Sequence, residues 1–347
     1  MSDSDSKHGM DVTEEELKSA KNLGDLLKGT GLFEQAVHEE FLGSLSAPVK
    51  RRLRALKKLQ LSGIQLEAKF YKEVHDLECK FAADFQKLHD KRRDIIGGTT
   101  EPSDAEADYP LIHGLSEEDH AKLLASGDQT NAADVKGVPQ FWLTLFKNVE
   151  LLAEMIQEHD EPILQHLTDI SVEMNSNPTG FTLFFHFSPN EYFTNKELTK
   201  QYTLKCDPDE DDPFEYDGPE IVACKGSKIE WKEGKNVTVK LIKKKQKHKA
   251  TGGTRFVTKQ VKADSFFNFF EPPVNSPEDE ANLDEETRML LHADFEVGQA
   301  LRDRIIPRAV LYYTGEANDD DSFDDEDECE DEADDDEEDG EDTDDAE

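Results

Sequence analysis

The sequence predicts an α+β protein in which one very long helix precedes a mixed domain of helices and antiparallel strands. Three observations support this fold class. Residues 48–96 carry apolar side chains in steps of three and four, with no internal proline. From Ile170 onward the apolar period changes from about 3.6 to about 2. After Tyr313 the chain becomes an acidic segment with too little apolar surface to fold.

The long helix is bounded by residues that favour helix ends. Pro48 suits the first helical turn, because its missing N–H would have no intrahelical partner there. Gly97 and Gly98 favour termination, since glycine readily adopts the left-handed conformation. At about 1.5 Å per residue the helix spans roughly 70 Å, whereas a compact domain of this chain length measures about 50 Å. The helix therefore cannot bury its whole apolar stripe within its own domain.

The apolar stripe predicts that the helix pairs with a second copy of itself, making the protein a homodimer. The alternative is an internal core helix of a bundle. Because the heptad spacing drifts, an antiparallel or crossed pair is expected rather than a long parallel coiled coil. The residues expected at this dimerisation interface are Leu53, Leu56, Leu66, Phe70, Val74, Leu77, Phe81 and Leu88.

The remaining segments follow in chain order. Residues 1–30 are polar and are expected to form a disordered tail without a secretory signal. Residues 31–98 comprise a short helix and the long one, and residues 99–134 form a linker with a short helix. Residues 138–167 return to helical spacing, and Pro162 is expected to divide them into two helices. No run of about 18 apolar residues predicts a membrane span.

Strands are expected from residues 170–174, 181–187 and 197–205, which together form an antiparallel meander. A last helix is expected over residues 285–306, where Pro307 ends it. The block SFFNFFEPP at residues 265–273 could be a protein-binding patch. Core packing is the favoured interpretation, because four exposed phenylalanines would promote aggregation.

The charge distribution points to basic partners. The chain has 79 acidic against 40 basic residues, a formal charge of −39, and 23 of the acids lie in residues 316–347 without any Lys or Arg. Such a protein repels phosphate backbones and attracts strongly basic molecules. The acidic tail could merely solubilise the chain, or it could compete with DNA for a basic protein.

One segment runs against this acidic background. Residues 221–262 hold 13 Lys or Arg against two acids, and a hairpin tip is expected at residues 251–254. Three interpretations remain open for its lysine run: a strand edge protected by lysines, a nucleic-acid contact, or a nuclear import signal. The lysines of this run are Lys243, Lys244, Lys245, Lys247 and Lys249.

No motif for catalysis, phosphate binding or zinc ligation is found, so neither enzyme activity nor a cofactor or metal is expected. Asp207, Asp209 and Asp211 have calcium-loop spacing, but Asp212 stands where such a loop requires glycine. The four scattered cysteines predict reduced thiols in a cytosolic or nuclear protein.

Several motifs together resemble the nucleosome assembly protein family. They are GVPQFWLTLFKN at residues 137–148, IQEHDEPIL at 156–164, SFFNFFEPP at 265–273 and DFEVGQALRDRIIPRAVLYYTGEA at 294–317. The lysine-rich hairpin and both flanking tails place the chain closer to the longer members than to the SET-type ones. The resemblance covers roughly residues 32–317.

This resemblance implies a long dimerisation helix followed by an α/β histone-binding domain over residues 135–315, with a four-stranded antiparallel sheet covered by helices and a β-hairpin. It also implies an ATP-independent histone chaperone that shuttles between cytoplasm and nucleus, with an import signal on the hairpin read by an import receptor. Sequence-specific nucleic-acid binding is not expected. The short link after Gly98 puts regulated nuclear export in doubt.

Acidic residues near the sheet and last helix are expected to bind histones, an assignment made from composition. They are Asp207, Asp209, Glu210, Asp211, Asp212, Glu278, Asp279 and Glu280. Shielding of histone charge from non-nucleosomal DNA contacts is the expected mechanism. Two alternatives remain: an acidic regulator that inhibits a phosphatase or another enzyme, and a DNA-binding protein that uses the hairpin.

Overall fold

The structure is a computed structural model that describes residues 32–126, 135–247, 254–273 and 284–317. The described residues form two compact units. The first contains the residues up to Phe70 together with Asp207–Gly218, and the second contains Tyr71–Cys206 and the described residues from Pro219 onward. Helices and antiparallel strands lie in separate parts of the chain, which confirms the predicted α+β class.

The long helix α2 spans Ala47–Ile96 and follows α1, Leu32–Ser44. The predicted bounds are therefore confirmed to within one residue. Gly98 adopts φ +65°, and the N–H groups of Gly97 and Thr99 donate to the carbonyls of Arg93 (2.8 Å) and Asp94 (2.9 Å). These bonds satisfy carbonyls that the last helical turn leaves without partners, which is why the helix stops at the glycine pair.

Helix α3, Glu117–Ala125, follows a segment of turns and bends, and its first turn is capped by the Ser116 hydroxyl, which accepts from the Asp119 N–H at 3.2 Å. Three short helices come next: α4, Phe141–Asn148; α5, Glu150–Ala153; and α6, Glu161–Leu164. The expectation of two helices divided by Pro162 was wrong. Pro162 lies in the first turn of α6, where its missing N–H costs nothing.

The sheet has four strands in the order β1-β2-β3-β4, and all neighbours are antiparallel. The strands are β1, Leu167–Ser176; β2, Thr179–Phe187; β3, Glu197–Lys205; and β4, Glu220–Gly226. Along β2, Phe181, Leu183, Phe185 and Phe187 are buried, and the residues that alternate with them are half-buried. This alternation places one face of the sheet against the helices.

A separate two-stranded sheet pairs β5, Val239–Lys247, with β6, Thr254–Lys262. The register runs from Val239 opposite Lys262 to Lys247 opposite Thr254. The predicted hairpin is therefore present. Its expected tip at residues 251–253 lies outside the described residues, and Thr254 already belongs to β6.

The four phenylalanines of the SFFNFFEPP block lie in a 3₁₀ helix, Phe266–Phe270, and all four are buried. The core interpretation is confirmed. Asp160, which is also buried, orders this turn: its carboxylate accepts from the Ser265 hydroxyl (2.7 Å) and from the Phe266 N–H (2.8 Å). A buried carboxylate with such donors positions an aromatic segment that has no periodic pattern of its own.

The last helical segment begins with α7, Glu285–Ala300, and continues through a π-helical turn, Leu301–Ile305. Helix α8, Ala309–Thr314, follows, and Gly315 at φ +76° ends it. The predicted helix 285–306 therefore contains a change of helix type that its apolar spacing did not reveal. Gly298 is required in α7, because a Cβ there would lie 2.3 Å from the Tyr202 ring.

A buried charged network joins this helix to the sheet. Lys200 on β3 is fully buried and its ammonium group donates to Asp294 of α7 (2.5 Å) and to the carbonyl of Phe269 (2.6 Å). The Tyr202 hydroxyl donates to the same carboxylate at 3.0 Å. Burial and the Asp294 charge raise the pKa of Tyr202 well above its ordinary value, so Tyr202 stays a donor.

Replacing Lys200 with methionine should lower the free energy of unfolding by about 3–5 kcal/mol, because the nearly buried Asp294 charge loses its cation. Urea denaturation followed by fluorescence measures the loss. Lys122→Gln is the matched control: Lys122 pairs with Glu118 on the solvent-exposed side of α3, and its removal should cost less than about 0.5 kcal/mol. Equal losses for both variants would contradict a stabilising role for the buried network.

Candidate functional site

Most of the residues predicted at the dimerisation interface form an exposed apolar stripe on α2. Their exposed fractions range from 36% for Leu53 to 69% for Leu66. The exposed members are Leu53, Leu56, Leu66, Phe70, Leu77, Phe81 and Leu88. Large apolar side chains in such a row are unusual on the surface of a monomer and indicate a surface that a partner covers.

Val74 differs from the rest of the predicted stripe. It is half-buried and lines a cavity of about 200 Å³ together with His75, Phe181 and Leu204 of its own chain. His75 is buried there and lies 2.8 Å from the carbonyl of Asn175 on β1. At this level of α2 one side of the helix therefore packs against the sheet, while Leu77 and Phe81 remain exposed.

The first unit contains a second apolar surface. A cavity of about 720 Å³ lies between the end of α1 and the start of α2, lined by Leu42, Leu53 and Leu56 with the side chains of Lys50 and Lys57. Lys50 also donates to the carbonyl of Gly43 at 2.6 Å, which holds the two helices together at their connection. The cavity extends the exposed stripe toward the beginning of the helix.

Five of the acidic residues predicted to bind histones lie in one exposed loop of the first unit: Asp207, Asp209, Glu210, Asp211 and Asp212. The Asp209 carboxylate accepts from the Asp211 N–H at 2.9 Å, which gives the loop a local turn. A 3₁₀ turn, Pro213–Glu215, follows, and Lys57 of α2 lies 5.5 Å from the ring centre of Phe214. The other three predicted residues, Glu278, Asp279 and Glu280, lie outside the described residues.

The lysine run lies on the hairpin as expected. Lys243, Lys244, Lys245 and Lys247 belong to β5, and Lys249 lies outside the described residues. Their register partners on β6 run from Thr258 to Thr254. Leu241 and Ile242, which precede the run, are exposed. The described part of the lysine run therefore belongs to a two-stranded sheet separate from the four-stranded one.

One acidic surface was missed by sequence reasoning. Exposed glutamates at 150, 154 and 296 surround a cavity of about 260 Å³, whose floor includes Leu151 and Ile305. Arg304 also lines it. The spacing of Glu150 and Glu154 would place two of these residues on one helix face. No local signal connects them to Glu296, which comes from α7.

Among the described residues, no group of three or more His, Cys, Asp or Glu side chains could hold a metal ion. Within the same ranges, no helix is both long and apolar enough to cross a membrane. What the described surfaces offer is binding chemistry: an apolar stripe, carboxylate clusters and a basic ribbon.

Comparison with known proteins gives one family. Residues 51–316 match the family model described as "Nucleosome assembly protein (NAP)". The chain is 55% identical over 295 residues to Nucleosome assembly protein 1-like 1 of Xenopus tropicalis, a match that covers 82% of this chain and 74% of the relative. It is 51% identical over 298 residues to human Nucleosome assembly protein 1-like 4, covering 82% and 78%.

Solved structures are also similar to this chain. Nucleosome Assembly Protein 1 from Plasmodium knowlesi shares 27% identity at a TM-score of 0.48, and the match covers 78% of this chain and 99% of that one.

Proposed function

Because this chain belongs to the nucleosome assembly protein family, we propose that it is a histone chaperone that binds core histones and promotes nucleosome assembly. The observation that carries the proposal is the family match over residues 51–316, which spans both the long helix and the sheet domain. The acidic surfaces described above fit it, since histones are strongly basic and carboxylate clusters attract basic proteins.

The proposed active form is a homodimer. The exposed stripe on α2 continues from Leu53 to Leu88, far beyond the part of the helix that packs on the sheet. A second copy, antiparallel or crossed, would cover the stripe with an identical one, which is the simplest arrangement for a two-fold interface. The proposed dimer would carry two α/β domains and two acidic tails.

The proposed mechanism is competitive shielding. Free histones and DNA form contacts that are non-nucleosomal and poorly reversible. A chaperone that covers histone charge lowers the population of those contacts, so that the more stable nucleosomal arrangement accumulates. This requires no ATP, because the chaperone only changes which contacts are populated, and the sequence contains no phosphate-binding loop motif.

Two kinds of acidic element would contribute. The structured ones are two separate surfaces, the loop that carries Asp207 and Asp212 and the glutamates around the cavity near Leu151. The second is the tail at residues 316–347 with its 23 acids, which would add affinity and association rate through long-range attraction. Attraction of that kind is screened within about 8–10 Å at physiological salt, so the tail adds little specificity.

Nuclear and cytoplasmic localisation belongs to the same proposal. The lysines of the hairpin would be recognised by a nuclear import receptor, as Lys-rich exposed segments are. Lys243, Lys244, Lys245 and Lys247 lie on β5, which pairs with β6 in a two-stranded sheet separate from the four-stranded one.

Polar substitutions in the stripe should convert the dimer to a monomer. Each leucine buried in an interface contributes about 1.5–3 kcal/mol and counts twice in a homodimer, so Leu66→Ser with Leu88→Ser should abolish association at micromolar concentration. Light scattering should give twice the chain mass of 39.3 kDa for the unmodified protein and a single mass for the variant.

The matched control for the stripe is Glu67→Gln with Lys87→Gln, which changes exposed polar residues next to each leucine. This control should remain dimeric. Monomeric unmodified protein, or an unaffected leucine variant, would refute the proposed interface.

The chaperone proposal is tested by competition. Labelled core histones are bound to DNA in non-nucleosomal complexes near physiological salt, and either the full chain or a chain ending at Gly315 is added. Both should release histones, the shorter one less efficiently, because it lacks all 23 acids of residues 316–347. If neither releases histones, the proposed function is wrong. If only the full chain does, the specific surface is the tail.

The loop is tested in the same assay by exchanging Asp207, Asp209, Glu210, Asp211 and Asp212 for their amides. Five lost charge pairs should weaken histone binding roughly tenfold, about 1.4 kcal/mol. The control exchanges five exposed acids of the linker and α3: Glu101, Asp104, Asp108, Glu117 and Glu118. Equal weakening in both variants would show a general charge effect without a specific loop contact.

Import is tested with five lysine-to-glutamine exchanges at residues 243, 244, 245, 247 and 249 in a fluorescent fusion. Nuclear accumulation should fall several-fold because the receptor loses its charge contacts. The control exchanges five exposed lysines of the same basic segment, at residues 225, 228, 232, 240 and 259. An equal fall for both variants would argue against a signal confined to the hairpin run.

A further inference from the structure

The C-terminal end of α2 is held against the α/β layer by direct backbone contact. The Val138 N–H donates to the carbonyl of Ile96 at 2.9 Å. Gly98 and Gly137 face each other with φ +65° and +59°, and a Cβ on Gly137 would lie 2.0 Å from the Ile96 carbonyl oxygen. The end of α2 therefore packs directly against the backbone at Gly137, and a side chain at Gly137 would push the two segments apart.

Arg92 reaches from this end of the helix into the domain. One guanidinium nitrogen donates to the carbonyl of Ile306, and the guanidinium carbon lies 5.4 Å from the ring centre of Trp142 on α4. The Nε and Nη2 atoms are buried without a hydrogen-bond partner among the described residues. Burial lowers the pKa of Arg92, and the charge of Asp169 opposes that effect.

Asp169 is the opposite charge, and it is fully buried on β1. It lies where the register with β2 shifts, between Leu167 and Asp169. Neither carboxylate oxygen has a hydrogen-bond partner of normal geometry among the described residues, and the Ile170 N–H lowers the pKa of Asp169 without making such a bond. The charges of Arg92 and Asp169 act on each other through the interior, with no hydrogen bond between the two side chains. A buried charge pair in this state lacks the hydrogen bonds that normally compensate for lost hydration.

The pKa of Asp169 follows from these surroundings. Burial is the largest cause and raises the pKa of Asp169 to about 6. The charges of Arg92 and Arg93 and the Ile170 N–H lower the pKa, whereas Asp90 raises it further. The loss of hydration therefore outweighs the two cations. In the closed contact, the protonated carboxyl is favoured more than it would be in water.

Other titratable groups surround the pair. On α2, the carboxylate of Asp90 accepts from Arg93 at 2.8 Å, and burial followed by the charge of Arg92 lowers the pKa of His89. On β2, His186 is the register partner of Asp169, and its Nδ1 lies 3.3 Å from Glu197. Burial lowers the pKa of His186 as well. Trp142 and the Ile306 carbonyl, which contact Arg92 from α4 and the π-helical segment, carry no charge.

We propose that the buried Arg92–Asp169 charge pair is part of a pH-sensitive joint between the end of the long helix and the α/β layer, and that this joint opens more readily at neutral than at mildly acidic pH. The joint comprises the close backbone approach of Gly98 and Gly137 and the charge pair of Arg92 and Asp169. It determines how firmly the sheet domain is held on the helix. This inference goes beyond the proposed histone chaperone activity and does not depend on it.

The direction follows from proton linkage. When the joint opens, Asp169 regains water and its ordinary pKa of 3.8, whereas in the closed joint the value is about 6. The closed state therefore binds the proton more tightly. The free energy by which protonation of Asp169 stabilises the closed state is fully present below the ordinary pKa. It is lost as the pH rises through the closed-state pKa of about 6. Between pH 5 and pH 7 the opening equilibrium should increase about tenfold.

The two histidines act in the opposite direction. Their lowered pKa values mean that the closed state favours the neutral ring, so acidification through their titration would open the structure. Overall thermal stability therefore combines both effects. Because both histidines lie close to the joint, the Asp169→Asn variant is needed to separate the effect of Asp169 from theirs.

The experiment is hydrogen exchange of the full chain between pH 5 and pH 7.5, corrected for the intrinsic pH dependence of amide exchange. Peptides that cover residues 88–98 and 165–173 report the joint, and peptides that cover β3 report the rest of the sheet. The joint peptides should lose protection about tenfold from pH 5 to pH 7, and the β3 peptides should not. Amide protection at the joint that does not change between pH 5 and pH 7 would overturn the proposal.

Two variants of the pair give opposite expectations. Asp169→Asn should remove the loss of protection with rising pH and leave only the opposite effect of His89 and His186. Arg92→Gln should move the transition to higher pH, because Asp169 then loses an attracting cation. Retention of the full pH dependence in Asp169→Asn would overturn the proposal.

A third measurement needs no variant that could fail to fold. Carboxyl-carbon NMR of the unmodified protein should show one aspartate that titrates near pH 6. If every aspartate titrates at or below its ordinary pKa, the proposal is wrong, whatever the histone assays show.

Discussion

The length of the long helix is the constraint on which the rest of this structure depends. A helix of 50 residues carries an apolar stripe that runs well beyond the part covered by its own domain. Burial of a single leucine contributes about 1.5–3 kcal/mol, so a row of exposed leucines and phenylalanines strongly favours association. The proposed dimer would bury this apolar stripe.

The same helix has a different environment at its other end. From His75 onward one side packs against the sheet, and at Ile96 the backbone itself is bonded to the domain through Val138. Glycines at 98 and 137 allow this close approach. The helix therefore has one exposed side, and its C-terminal end packs against the α/β domain.

Buried polar groups order the aromatic core. Asp160 holds the turn that contains four phenylalanines, and Lys200 with Asp294 joins the sheet to the last helix. Phenylalanine side chains can pack in several ways with similar energy, whereas hydrogen bonds to one buried carboxylate select a single arrangement. The core is thus specified by a few polar contacts within a largely apolar interior.

The sequence by itself determined the features that depend on neighbouring residues. Helix α2 and its end follow from apolar spacing, the absence of proline and the Gly97–Gly98 pair, and the strands follow from a period of about two. The charge segments and the family motifs are equally local. Backbone hydrogen bonding and side-chain direction act over a few residues, which is why these predictions were confirmed in the described part of the chain.

Only the tertiary structure decided the features that join distant residues. Lys200 and Asp294 are 94 positions apart, and Asp160 and Ser265 are 105 apart. The acidic cavity near Leu151 and the Arg92–Asp169 pair are likewise made by separate elements. The split of residues 141–164 into three short helices and the π-helical turn also escaped sequence reasoning. Both features depend on packing against the core, and apolar periodicity does not indicate which distant residue a side chain will contact.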